Sequence, residues 1–209
     1  MKLEKSNIVF HGQREIKILS PCFLNPDTTL ATNGLGYYYI ISNGTGYSVL
    51  AELFSLGISL SKDEIIYLPF EFKHTNYYKC DFDEQQYKGL ILANYCTSQF
   101  KAKEIVAAVE QKPYKRESIE LSPELPQEDV DFWKVRHRTT VAKHGRHIII
   151  STNGDGFASF AMSCINLSEY GDDVKYNDFP PHMHHDWYQS TSKSLGITLY
   201  YWQSPVLNF

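Results

Sequence analysis

The sequence predicts an α+β fold, with a mostly antiparallel β N-terminal region and a C-terminal β-α-β-β unit. Three observations predict it. The chain holds 15 Tyr and 12 Phe with few Leu or Ala runs, a composition that favours strands. Short aromatic or β-branched runs bounded by Gly, Asn or Pro recur through the first half. Near the C-terminus Phe157, Phe160, Ala161, Cys164 and Ile165 fall at i, i+3, i+4, i+7 and i+8, the spacing of one apolar helix stripe.

Taken in order, Asn7–Phe10 and Ile16–Leu19 read as two strands around His11-Gly12-Gln13. Pro21–Asp27 reads as loop. Gly36–Ser42 and Tyr47–Leu50 flank Asn43-Gly44-Thr45-Gly46, and Asn-Gly between such flanks is a hairpin signal. Ala51–Leu56 fits a strand or a short helix equally. Ile65–Leu68, stopped by Pro69, and Tyr87–Tyr95 are further strands, and Lys101–Gln111 carries Ala102, Ile105, Val106 and Val109 at helical spacing. No internal repeat is visible.

Three regions are expected: a β-rich domain with one helix (1–112), an acidic connector (113–132) and an α+β domain (133–209). The connector holds Glu117, Glu120, Glu124, Glu128, Asp129 and Asp131, with Pro123 and Pro126, a composition that resists helix and sheet interiors. Lys134, Arg136, Arg138, Lys143 and Arg146 follow it, so pairing within the chain competes with any external role for the acids.

In the last region His147–Thr152 reads as a buried strand. Asn153 is placed to cap the helix that follows, and Asp155 sits at its positive end. Gly171-Asp172-Asp173 ends that helix, Pro180-Pro181 opens a loop, and Leu195–Trp202 is the final strand. This order resembles a pattern of small immunity proteins of bacterial polymorphic-toxin and contact-dependent inhibition systems. The residues that carry the resemblance are Asn153, Gly156-Phe157, Phe160-Ala161, His182 and His184 with Asp186, and Ser192 or Ser194 ahead of Leu195 and Ile197. They cover about a quarter of the chain, and Phe157 stands where Leu is commoner. The resemblance implies a cytoplasmic, non-enzymatic protein that binds and blocks a toxin domain, such as a nuclease, and needs no cofactor.

Composition narrows the partner class. The 209 residues are 43% hydrophobic and 21% charged, as in an ordinary globular protein, and the net charge of −4 argues against nucleic acid as the main ligand. It suits a basic protein surface. Cys22, Cys80, Cys96 and Cys164 form no CxxC pair, so reduced, buried thiols are expected. Met1–Asn7 lacks the apolar core of a signal peptide, and no run of 18 apolar residues exists, so the expectation is a cytoplasmic protein without membrane contact.

Two groups could carry chemistry or contact. On a strand His182, His184 and Asp186 would project from one face, offering the ligand types of a zinc or non-haem iron site. Structural or partner-contacting histidines are the favoured reading, and a metal site the alternative. Asp63–His74 resembles the second cupin motif, with Asp63 and Glu71 in place of its glycines and His74 as its histidine; no HxH-x₃₋₄-E segment precedes it. The alternative function is therefore a cupin-like metal-dependent enzyme using His182, His184 and Asp186, with no metal in the first reading. For protein binding, Glu117, Glu120, Glu124, Glu128, Asp129 and Asp131 supply charge and Trp187 an aromatic anchor.

Overall fold

The computed structural model describes residues 1–10, 14–33, 37–70, 82–83, 87–128, 139–170, 181–185 and 196–202. The elements run β1 (Lys2–Phe10), β2 (Arg14–Pro21), β3 (Thr29–Asn33), β4 (Tyr38–Ser42), α1 (Gly44–Ile58), β5 (Glu64–Pro69), β6 (Phe82–Asp83), β7 (Gly89–Asn94) and α2 (Ala102–Val109). They continue with β8 (Lys115–Glu120), β9 (Thr140–His144), β10 (His147–Thr152), α3 (Gly154–Ser168), β11 (His182–His185) and β12 (Ile197–Tyr201).

Two sheets form, with strand orders β8-β1-β2-β5-β7-β10-β9 (sheet A) and β11-β12-β4-β3-β6 (sheet B). Helices α1 and α3 lie in one core with both. That core joins the inner face of sheet A (Ile66, Leu68, Leu90, Leu92, Ile148, Ile150) through Leu50, Phe54, Phe157 and Phe160 to Leu30, Ile40, Leu199 and Tyr201 of sheet B. A second cluster on the outer face of sheet A packs Ile8, Ile18, Ile65, Ile91 and Ile149 under Ile105 and Ala108 of α2. The class is α+β, as expected. The sheets, however, are mixed: β2 pairs parallel with β5, and β7 parallel with β10. Strands buried on both faces read as unbroken apolar runs, which explains Leu90–Ala93 and Ile148–Ile150.

Several expectations change. Asn43-Gly44 is no hairpin turn. Asn43 caps α1, its Oδ1 accepting from Gly46 N at 2.9 Å, and Tyr47–Leu50 and Ala51–Leu56 are both helical. The helix touches both sheets, so its apolar residues wrap around it instead of forming one stripe, and periodicity fails to identify it. The acidic connector is partly strand: Lys115–Glu120 forms β8 on the edge of sheet A, antiparallel to β1. Both sheets also draw strands from either side of that connector, so residues 1–112 and 133–209 share their sheets. Among the cysteines, Cys164 is buried, whereas Cys22 and Cys96 are exposed; all three are free thiols. Burial pushes the Cys164 thiol up.

An internal repeat of topology, invisible in the sequence, emerges from the pairing. In one half the hairpin β3/β4 leads through α1 to the hairpin β5/β7. In the other, β9/β10 leads through α3 to β11/β12. Each helix carries the chain from one sheet to the other. The last strand of each half pairs parallel with the second strand of the other half, β7 with β10 and β12 with β4.

The registers agree residue by residue. Ser42 and Thr152 stand at equivalent places before the capping asparagines. Each bonds the hydroxyl that precedes the first strand of its half, Thr28 at 2.7 Å and Thr139 at 2.5 Å. Asn153 Oδ1 accepts from Gly156 N at 3.0 Å, as Asn43 does from Gly46. Tyr95 N donates to Thr152 O and Trp202 N to Ser42 O. The helix contact is isologous: a Cβ on Gly44 would sit 3.1 Å from Ser168 O, and one on Gly154 3.5 Å from Ile58.

At the two corners a Cβ on Gly46 would overlap Ser42 Oγ and Thr28 Oγ1, and one on Gly156 would overlap Thr152 Oγ1. Both hydroxyl pairs are buried and cannot swing away without losing their bonds. Gly46→Ala and Gly156→Ala are therefore each expected to cost about 1–3 kcal/mol by overpacking. Urea unfolding of the two variants checks this, and a silent change at either corner contradicts the equivalence.

Candidate functional site

β11 is short, but its side chains alternate as a strand requires: His182 and His184 are exposed, Met183 is half-buried and His185 buried. The expected common face of His182 and His184 is present. Their rings lie 4.7 Å apart between centroids, nearly perpendicular at 79°. Asp186, Trp187, Ser192, Ser194 and His74 lie outside the described residues.

Register places β12 beneath this pair, His182 opposite Tyr200 and His184 opposite Thr198. Thr198 Oγ1 stands 3.0 Å from His184 Nδ1, and the Tyr200 ring lies 6.1 Å from that of His182 at 24°. Sequence reasoning missed both partners. The signal was there in Ile197-Thr198-Leu199-Tyr200-Tyr201, where alternate residues must face the side opposite the core, but only the register with β11 shows which histidine each one meets. A cleft of about 720 Å³ opens beside His182, lined also by Leu167, Glu169, Tyr170, Pro181 and Met183.

The internal repeat shows what is special here. His182, His184, Thr198 and Tyr200 occupy the places of Ile65, Tyr67, Ile91 and Ala93 in the other half. There the face is largely aliphatic and sealed by α2. On sheet B the same positions carry imidazole, hydroxyl and phenol. Tyr39 of β4, equivalent to Ile149, extends the change.

His185 replaces Leu68 on the inner face. Its ring stacks on Phe160 at 4.1 Å, and its Nε2 lies 3.1 Å from Ser163 Oγ of α3. Burial, aided by neighbouring His184, lowers its pKa to about 3, so it is a neutral core residue. His147 likewise is buried, 5.8 Å from the Tyr67 ring, and burial lowers its pKa. Among the described residues no three His, Cys, Asp or Glu side chains converge as metal ligands.

Glu117 and Glu120 fall on opposite faces of β8, and Glu117 pairs with Lys115 at 3.1 Å. Glu120, Glu124 and Glu128 are exposed. Asp129, Asp131, Trp133 and the basic residues Lys134, Arg136 and Arg138 lie outside the described residues. In the cupin-like stretch, Asp63 is engaged by Lys17 at 2.7 Å, a bond that holds its carboxyl below the usual range. The strand that follows it, β5, lies in sheet A, and residues 71–74 of the motif lie outside the described residues. Comparison with protein-family models, curated proteins and solved structures found no match for this chain.

His185 makes a pH prediction. Its folded pKa is lowered from 6.5 to about 3. The unfolded chain therefore takes up a proton below pH 6.5 that the folded chain refuses. Its contribution is intact above pH 6.5 and lost as pH falls towards 3. Between pH 7 and 4.5 this group alone is expected to remove about 2–3 kcal/mol. His185→Leu, the residue of the other half, should flatten that part of the stability curve in denaturant titrations; an unchanged pH dependence overturns the assignment.

Proposed function

We propose that this protein is an immunity protein, which binds a cognate toxin domain and neutralises it by covering its active site, without catalysis of its own. The observation that carries the reading is the asymmetry of the two outer faces. One is aliphatic apart from Tyr67 and packs beneath α2. Its counterpart carries His182, His184, Tyr200 and Tyr39. Where Ile65 and Ala93 stand in the other half, this face carries His182 and Tyr200, side chains from which a binding surface gains area and hydrogen-bonding reach. Of the residues that carry the resemblance, Asn153, Gly156-Phe157, Phe160-Ala161, His182, His184 and Ile197 lie along β10-α3-β11-β12, which supports the reading.

The exposed acids Glu120, Glu124 and Glu128 supply the long-range attraction for a basic toxin surface and bias encounter towards it. The deciding experiment is co-expression with the C-terminal domain of the adjacent upstream gene's product, tested for toxicity on its own. A 1:1 complex and rescue of growth support the proposal. A toxin that stays lethal and forms no complex refutes it. Within the complex, Glu120→Gln/Glu124→Gln/Glu128→Gln is expected to slow association about tenfold at low salt and little at high salt. Stopped-flow association rates across ionic strength check that expectation.

A further inference from the structure

We propose that His182 and His184 form a two-imidazole site for a divalent late transition-metal ion. Four observations carry it. The side chains leave the same face of β11, two residues apart, and both are exposed. Their ring centroids lie 4.7 Å apart, near enough for one nitrogen of each ring to reach a shared ion at about 2.1 Å. Thr198 Oγ1 lies within hydrogen-bond reach of His184 Nδ1, which leaves Nε2 as the outward-facing donor atom and fixes the ring's orientation. Such outer partners are typical of ligating histidines. Finally, the other half holds Ile65 and Tyr67 at the same places, so the imidazole pair is particular to this face.

Imidazole nitrogen suits zinc, nickel and copper and disfavours magnesium and calcium. Among the described residues no third protein ligand joins the pair. The two imidazoles fill two positions of such an ion's coordination sphere. The site uses the same histidines as the proposed binding face but needs no toxin partner, so metal binding by the chain alone and complex formation with a toxin are read separately.

The test uses the intact, tag-free chain and NiCl₂. One equivalent of Ni²⁺ should broaden the ring proton resonances of His182 and His184 before those of the other histidines. Calorimetry should show one site per chain. His182→Ala or His184→Ala should abolish it. Thr198→Val keeps both ligands and serves as the positioning control, expected to weaken binding about tenfold or more. Absence of binding by the wild-type chain overturns the proposal. So does binding that survives both alanine variants, which would place the ion elsewhere, for instance at the exposed thiols of Cys22 or Cys96.

Discussion

The contact between α1 and α3 is the constraint on which the rest depends. Each helix begins at the end of a strand in one sheet and delivers the chain to the other, so the sheets are held together by what lies between them. The helices approach closely because glycines meet the far end of the partner: Gly44 against Ser168, Gly154 beside Ile58, and Gly57 under the ring of Phe157. Phe54 stacks on Phe160 at 5.0 Å in the middle of this contact. A partly buried helix start must also satisfy its backbone N–H groups. Asn43 and Asn153 do it from within the chain.

The repeat organises this core. Two hairpin-helix-hairpin halves exchange their outer strands, and the equivalences reach single hydroxyl groups, Thr28 with Ser42 and Thr139 with Thr152. Residues that close the core keep their character across the halves, as at Ile40 and Ile150 or Leu92 and Leu199. The outer positions do not. One half uses them for packing beneath α2, and the other presents histidine and tyrosine.

Divergence also reached the interior. His185 stands where Leu68 stands in the other half, and a neutral imidazole there fills the leucine's volume only while the surroundings stay above its acid range. Stacking on Phe160 and the Ser163 hydroxyl accommodate it. This core histidine and the exposed pair beside it share one four-residue strand yet have opposite fates, because alternation sends neighbours to opposite faces.

The sequence by itself determined the α+β class, the strand His147–Thr152, the cap at Asn153, the helix behind it and the shared face of His182 and His184. Each rests on a local rule: hydrophobic period, capping geometry or strand alternation. It also held the pair Asn43-Gly-x-Gly and Asn153-Gly-x-Gly, whose kinship was hidden because Asn-Gly serves hairpins and helix starts alike. Tertiary structure alone decided that α1 is a helix, since a helix enclosed on several sides loses the stripe that betrays it. It decided too that Lys115–Glu120 joins a sheet, because β1 supplies backbone partners that outweigh the acidic composition. Strand register, which no local rule specifies, is what sets Thr198 and Tyr200 beneath the histidines and makes two dissimilar halves one body.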